Sequence, residues 1–318
     1  MIDASIEIDR IEEAAALIDP VFRDTPQYVC EPLSDRLGAD TVLKVECVNP
    51  VRSFKGRGAE YLLHRLGPQP AGLVCASAGN FGQGMAYAAR SRGVPLTVFA
   101  ALTANSLKVD RMRALGAKVI MDGHDFDEAK DGAMRHATGT GGFYVEDGLL
   151  GPIAEGAGTI ALELLRMPEP LDAVFVPLGN GSLVNGMGLC LKRASPVTRI
   201  IAVCPAGARS MEMSWRAKKP ISTGPTDTIA DGIAVRVPVP EALEIMRTAV
   251  DEVMLVTDAE IVEAMRLLHH VAGVVVEPAG AAGIAAVAQR REEFAGKRVA
   301  VPLTGGNVTE EQLRTWLC

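Results

Sequence analysis

Short runs rich in β-branched and apolar residues alternate with Ala- and Leu-rich stretches along almost the whole chain. The runs at 41–47 (TVLKVEC), 72–77 (GLVCAS), 96–101 (LTVFAA), 117–122 (AKVIMD), 173–178 (AVFVPL), 199–204 (RIIAVC) and 298–303 (RVAVPL) predict strands. Helical segments fall between them, such as 84–93 (GMAYAARSRG) and 158–167 (GTIALELLRM). Strands separated by helices predict parallel sheets covered by helices on both faces, with ligands bound beyond the carboxyl ends of the strands. The Gly-rich patches at 79–84, 139–142 and 179–188 are punctuation inside this pattern, and neither a linker nor a repeat interrupts it.

Length and charge narrow the function. The 318 residues are enough for two lobes, and a 48% hydrophobic content with few aromatics suits packed strands and helices. A net charge of −7 and the lack of any Lys/Arg run exclude an electrostatic footprint for nucleic acid. The N-terminal MIDASIEIDRIEEAAALI is acidic and helical in pattern, unlike a signal peptide, and no apolar run is long enough for a membrane span. Cys30, Cys47, Cys75, Cys190, Cys204 and Cys318 show no CxxC spacing and read as reduced core residues of a cytoplasmic protein.

Two Gly-rich turns carry candidate chemistry. GNGSLVNGMG (179–188) follows one predicted strand and precedes a helix, and ASAGNFGQGMA (76–86) does the same. Free backbone N–H groups and the helix dipole make such a junction an anion site. The first turn is not a dinucleotide fingerprint, because Val184 occupies the sixth position, and it lacks the Gly-Lys-Ser/Thr of a Walker loop. Two anion sites suit a ligand with a phosphate and a partner with a carboxylate. Most single lysines are solvated head groups. Lys55, in NPVRSFKGRG (49–58), instead opens the amphipathic run GRGAEYLLHRL, where the helix dipole disfavours an ammonium and leaves more neutral amine to attack a carbonyl.

SFKGRGA, SAGNFGQG, LGNGSLVNG, IADGIAV, VVEPAGAAG and LTGGN occur in the order found in fold-type II pyridoxal-phosphate enzymes, the tryptophan synthase β-like group. From about residue 20 to 310 the chain most resembles the serine/threonine dehydratases (ammonia-lyases) and the similar serine racemases. The resemblance implies a two-domain α/β fold of open, mostly parallel sheets flanked by helices. The large domain would comprise 1–49 plus 148–318 and bind pyridoxal 5'-phosphate; the small domain would be 50–147. It also implies a cytoplasmic homodimer acting on a small-molecule amino acid, with no nucleic-acid or membrane partner. The sequence ends soon after Thr304, which implies a form without the regulatory domain of the allosteric biosynthetic threonine dehydratases.

Site roles follow from the same resemblance. Lys55 would join the cofactor aldehyde and then move protons at Cα and the leaving group. Phe54 would pack near the ring, Asn80 would bond its 3' oxygen, and Thr304 would bond the pyridine nitrogen. Gly179, Asn180, Gly181, Ser182 and Leu183 would hold the phosphate, replacing the family's usual four glycines. Ser77, with Ser53, Ala78, Gly79, Asn80 and Phe81, would receive the substrate, Ser77 being catalytic as well. Asp231-Gly232 and Glu277 would lie at the cofactor edge.

Two departures matter most. Ala78 stands where the racemases carry a proton-donating serine, and Cys204 and Ser210 stand where the family's cation site has carboxylates. The implied reaction is elimination of water from an L-threonine- or L-serine-like amino acid to a 2-oxo acid and ammonia, with no metal. The alternatives are a β-replacement synthase, a dehydratase of hydroxyaspartate or phenylserine, a racemase, and a non-catalytic metabolite sensor.

Overall fold

The computed structural model describes residues 3–69 and 71–317; Cys318 lies outside them. Its strands are β1 (Gln27–Val29), β2 (Asp40–Val45), β3 (Leu73–Ala76), β4 (Leu96–Ala100), β5 (Lys118–Met121), β6 (Phe143–Val145), β7 (Ala173–Pro177), β8 (Arg199–Pro205), β9 (Glu252–Val256) and β10 (Arg298–Leu303). They form a six-stranded sheet in the order β1-β2-β10-β7-β8-β9 and a four-stranded sheet in the order β5-β4-β3-β6. Every pairing is parallel except β1 with β2.

Both faces of the larger sheet are buried, so neighbouring strand residues serve different cores. Val174 and Val176 pack with Ile160, Met187 and Leu191 on one face. Phe175, between them, packs with Ile284 and Phe294 on the other. The smaller sheet repeats the arrangement: Val98 meets Leu62 and Met85, while Phe99 meets Ala129 and Ala133. This double burial is why these strands read as apolar runs.

All seven predicted strands form. β1 and β6 escaped because three residues are too short to show a period, and β9 because Asp251-Glu252 breaks its apolar run. The helix expected from residue 84 begins at Asn80. Its glycines look like a loop in sequence, yet they permit close packing: a Cβ on Gly84 would sit 2.8 Å from the Lys55 carbonyl oxygen.

A buried charge network ties the layers together. Arg57, on the helix Lys55–Leu66, is fully buried. Its guanidinium donates to Glu46 through Nε and Nη2 (both 2.8 Å), to Glu163 through Nη1 (2.7 Å) and Nη2 (3.0 Å), and to the Thr159 hydroxyl (2.9 Å). Lys44 pairs with Glu163 and donates to the Thr25 carbonyl at 2.7 Å. Two cations balance two anions, and β2, the helix Gly151–Leu164 and the Lys55 helix are joined through them. Burial alone would raise the Glu163 pKa, but Arg57 and then Lys44 hold it below the usual carboxylate range. Removing one member of such a set leaves an uncompensated buried charge. Arg57→Met is therefore expected to cost about 3–5 kcal/mol of stability in urea unfolding; a loss below about 1 kcal/mol would show that the network is not structural.

Candidate active site

The carboxyl ends of β2, β3, β6, β7 and β10 lead into loops around one cavity of about 440 Å³ between the two sheets. Lys55 reaches this cavity from the first residue of its helix. Its backbone is fixed from the large sheet: Phe54 N donates to Thr304 O at 3.1 Å, and Ser53 bridges Gly305. The Lys55 amine lies 4.8 Å from the Phe54 ring centre and 5.8 Å from that of Phe81, both favourable cation–π distances.

Two helix N-termini face the same space. Gly181, at φ +97°, makes the turn into the helix Ser182–Ala194. Among the described residues no protein acceptor engages the N–H groups of Asn180, Gly181, Ser182 and Leu183. Such free donors at a helix start fit a phosphate. The second N-terminus belongs to the helix Asn80–Ser91. Here the Ser77 hydroxyl oxygen accepts from Gly79 N (3.2 Å) and Gly82 N (2.8 Å), which leaves its proton free to donate. Ala78, Gly79, Asn80 and Phe81 line the cavity beside it, as does Thr304.

A buried polar cluster backs this wall. Asn80 Nδ2 donates to Glu277 Oε1, and Asn307 Nδ2 donates to Asn80 Oδ1 at 2.8 Å. One N–H of the Asn80 amide remains for a ligand oxygen. Lys108 is nearly fully buried, 2.7 Å from Asp231 and 3.8 Å from Glu277. Burial pushes the Glu277 pKa up against the pull of Lys108. Burial works against the Lys108 ammonium too, but Glu277 and then Asp231 outweigh it and raise the Lys108 pKa.

Among the sequence-predicted residues, Phe54, Lys55, Ser77 to Phe81, Gly179 to Leu183 and Thr304 all come together on the cavity wall, as do Asp231, Gly232 and Glu277. Ser53 does not. It is wholly buried, its hydroxyl has no protein partner, and it lies next to Phe54 rather than on the wall. Sequence reasoning missed Asp147, whose carboxylate sits 2.5 Å from the Lys55 amine and accepts from the Ser182 hydroxyl at 2.5 Å. It also missed Lys108, the Lys130–Glu146 pair and the Arg236–Asp127 pair at the cavity edge. The one local signal at Asp147 was the Asp-Gly turn pair it forms with Gly148.

A primary amine beside two helix N-termini with free N–H groups fits a phosphorylated aldehyde cofactor. The chain matches the family model described as "Pyridoxal-phosphate dependent enzyme" over residues 18–305 and belongs to that family. It is 35% identical to an L-threonine ammonia-lyase of Thermotoga maritima over 95% of this chain and 76% of that protein. It is 34% identical to a serine racemase of Arabidopsis thaliana over 95% and 93%. Among solved structures, maize serine racemase superposes with a TM-score of 0.91 at 30% identity, covering 98% of this chain and 96% of that one. The processed form of threonine deaminase isoform 2 from Solanum lycopersicum gives 0.88 at 29%, covering 99% and 95%.

The donor set thus fits pyridoxal 5'-phosphate, with Lys55 for the aldehyde and residues 179–183 for the phosphate. A side chain at Gly181 would be strained in the left-handed region and would stand 3.1 Å from Ala242 Cβ. Such strain costs about 1–2 kcal/mol. Gly181→Ala is expected to weaken cofactor affinity about tenfold in an absorbance titration; unchanged affinity would place the phosphate elsewhere.

Proposed function

We propose that this enzyme is a dehydratase that eliminates water from a β-hydroxy amino acid of the L-threonine or L-serine type, releasing a 2-oxo acid and ammonia. The observation that carries this reading is the placement of the Lys55 amine between the two helix N-termini, in a cavity where residue 78 carries only a methyl group. The L-threonine ammonia-lyases among the relatives support it.

When bound, the cofactor draws electrons from the substrate and makes the Cα proton removable. The chain's residues do the rest. The Ser77 hydroxyl and the N–H groups at the start of the Asn80–Ser91 helix would hold the substrate carboxylate. Lys55 would take the Cα proton and return one to the departing hydroxyl. Thr304 would offer the pyridine nitrogen a neutral hydroxyl rather than a carboxylate, which would disfavour a full pyridinium charge. Elimination needs little of that charge, because the electrons leave with the hydroxyl.

The reading extends to assembly and metal use. Residues 1–49 with 148–318 would form the cofactor-binding domain, 50–147 the smaller one, and two chains a homodimer in the cytoplasm. The strands of the smaller sheet all fall between residues 73 and 145, and the five described cysteines are free and buried, in keeping with this. At the positions matching the family's cation site, Cys204 lies 3.9 Å from the Leu178 carbonyl oxygen, and Ser210 donates to the Val235 carbonyl at 2.6 Å. Burial pushes the Cys204 thiol up to about 12, so it is a poor metal ligand.

Racemisation is the second reading, favoured by the serine racemases among the relatives. It requires a proton delivered to Cα on the face opposite Lys55, and Ala78 has none to give. The wild type is expected to release 2-oxo acid from L-serine, L-threonine or a related amino acid, with and without chelator, and to form little D-enantiomer. Ala78→Ser should raise the ratio of racemisation to elimination, because a placed general acid contributes about 10²–10⁴-fold. Rapid wild-type racemisation, or activity lost to chelator and restored by magnesium, would refute this assignment.

A further inference from the structure

An amide side chain can face a ligand with an N–H or with its oxygen, and the residues behind Asn80 decide which. Asn307, the last residue of LTGGN, is buried and does not line the cavity. Its own amide has one possible orientation. Arg111 can only donate and meets Oδ1, while the Val51 carbonyl can only accept and takes an Nδ2 hydrogen at 3.0 Å. The second Nδ2 hydrogen goes to Asn80 Oδ1 at 2.8 Å. Asn80 Nδ2 is thereby turned to Glu277 Oε1, and the other Glu277 oxygen accepts from Asn307 N at 3.2 Å. Gly305 makes room for this contact: a Cβ there would stand 2.9 Å from Asn80 Nδ2 and closer still to Glu277 Oε1.

We propose that Asn307, itself oriented by Arg111 and Val51, is a positioning residue for the cofactor. It fixes the Asn80 amide so that an N–H, and not the carbonyl oxygen, meets the 3' oxygen of the ring. The proposal rests on the reading of Asn80 as the partner of that oxygen. Three separate segments contribute: Arg111 from the helix Ser106–Ala114, Val51 from the stretch before the Lys55 helix, and Asn307 from the loop after β10. A ring oxygen beside a donor keeps its negative charge, whereas beside a carbonyl oxygen it is repelled and takes a proton. Turning the amide over therefore reverses the sign of the interaction instead of merely weakening it.

Asn307→Asp keeps the size and the acceptor for Arg111 but has no side-chain hydrogen to give Asn80. The Asn80 amide then turns its NH2 toward residue 307 and its oxygen away. Affinity for pyridoxal 5'-phosphate is expected to fall about tenfold, the order of one hydrogen bond to a charged group. The absorbance of the bound cofactor should shift to shorter wavelength as the 3' oxygen takes a proton. Asn307→Ala removes the donor without adding a charge beside Glu277, and should give a smaller change in the same direction.

Both variants are titrated with pyridoxal 5'-phosphate, alone and combined with Asn80→Ala, with thermal unfolding as the check on folding. Asn80→Ala by itself should reproduce the tenfold loss and the shift. Adding either change at 307 should then alter neither further, because Asn307 acts through Asn80. Unchanged affinity and absorbance in the Asn307 variants, or a second loss of similar size in the Asn80→Ala background, would overturn the proposal. Should Asn307→Asp not fold, Asn307→Ala decides by the same criteria. No effect of Asn80→Ala would remove the reading of Asn80 and the proposal with it. Neither readout involves turnover, so a failure of the dehydratase reading shows separately, as absent 2-oxo acid release.

Discussion

The buried guanidinium of Arg57 is the constraint on which the rest of this structure depends. Two residues after Lys55, it satisfies Glu46 just beyond β2 and Glu163 on the helix Gly151–Leu164, with Lys44 completing the charge balance. A buried ion pair is seldom a net gain over an apolar core, since desolvation offsets the attraction. What this network supplies is register. Glu46 and Glu163 are far apart in sequence, and both must meet the one guanidinium fork, so the start of the Lys55 helix has a single position against the large sheet. The Phe54 N–H on the Thr304 carbonyl fixes the same point from the other side.

Given that anchor, the site follows from topology. Parallel strands deliver their following loops to one edge, and both sheets turn that edge toward the shared cavity. The helix starts at Asn80 and Ser182 bring unpaired N–H groups to it, and neither needs a cationic side chain to attract an anion. Lys55 opens its own helix at the same edge, and its amine meets the Asp147 carboxylate at 2.5 Å.

What was legible in the sequence was whatever has a local signature. The seven longer strands show their apolar runs. Lys55, Ser77, Asn80, the 179–183 loop and Thr304 sit in Gly- and Ser-rich turns whose chemistry is readable over a few residues, and all of them line the cavity. Ser53 shared such a turn but faces inward, because a period cannot be read where the chain leaves a strand for a helix start. Asp147 and Lys108 were illegible for the opposite reason. Their partners lie 92 and 123 residues away, and each sits in an ordinary turn or helix whose local pattern implies nothing unusual.

The central claim is that Lys55, and no other amine in the cavity, carries the cofactor. Lys108 and Lys130 line the same space, each held by a carboxylate. Borohydride reduction of the cofactor-loaded protein, followed by peptide mapping, distinguishes the three directly. A pyridoxyl group found on Lys55 alone is the result predicted here. Its recovery on Lys108, Lys130 or any other lysine would contradict the account.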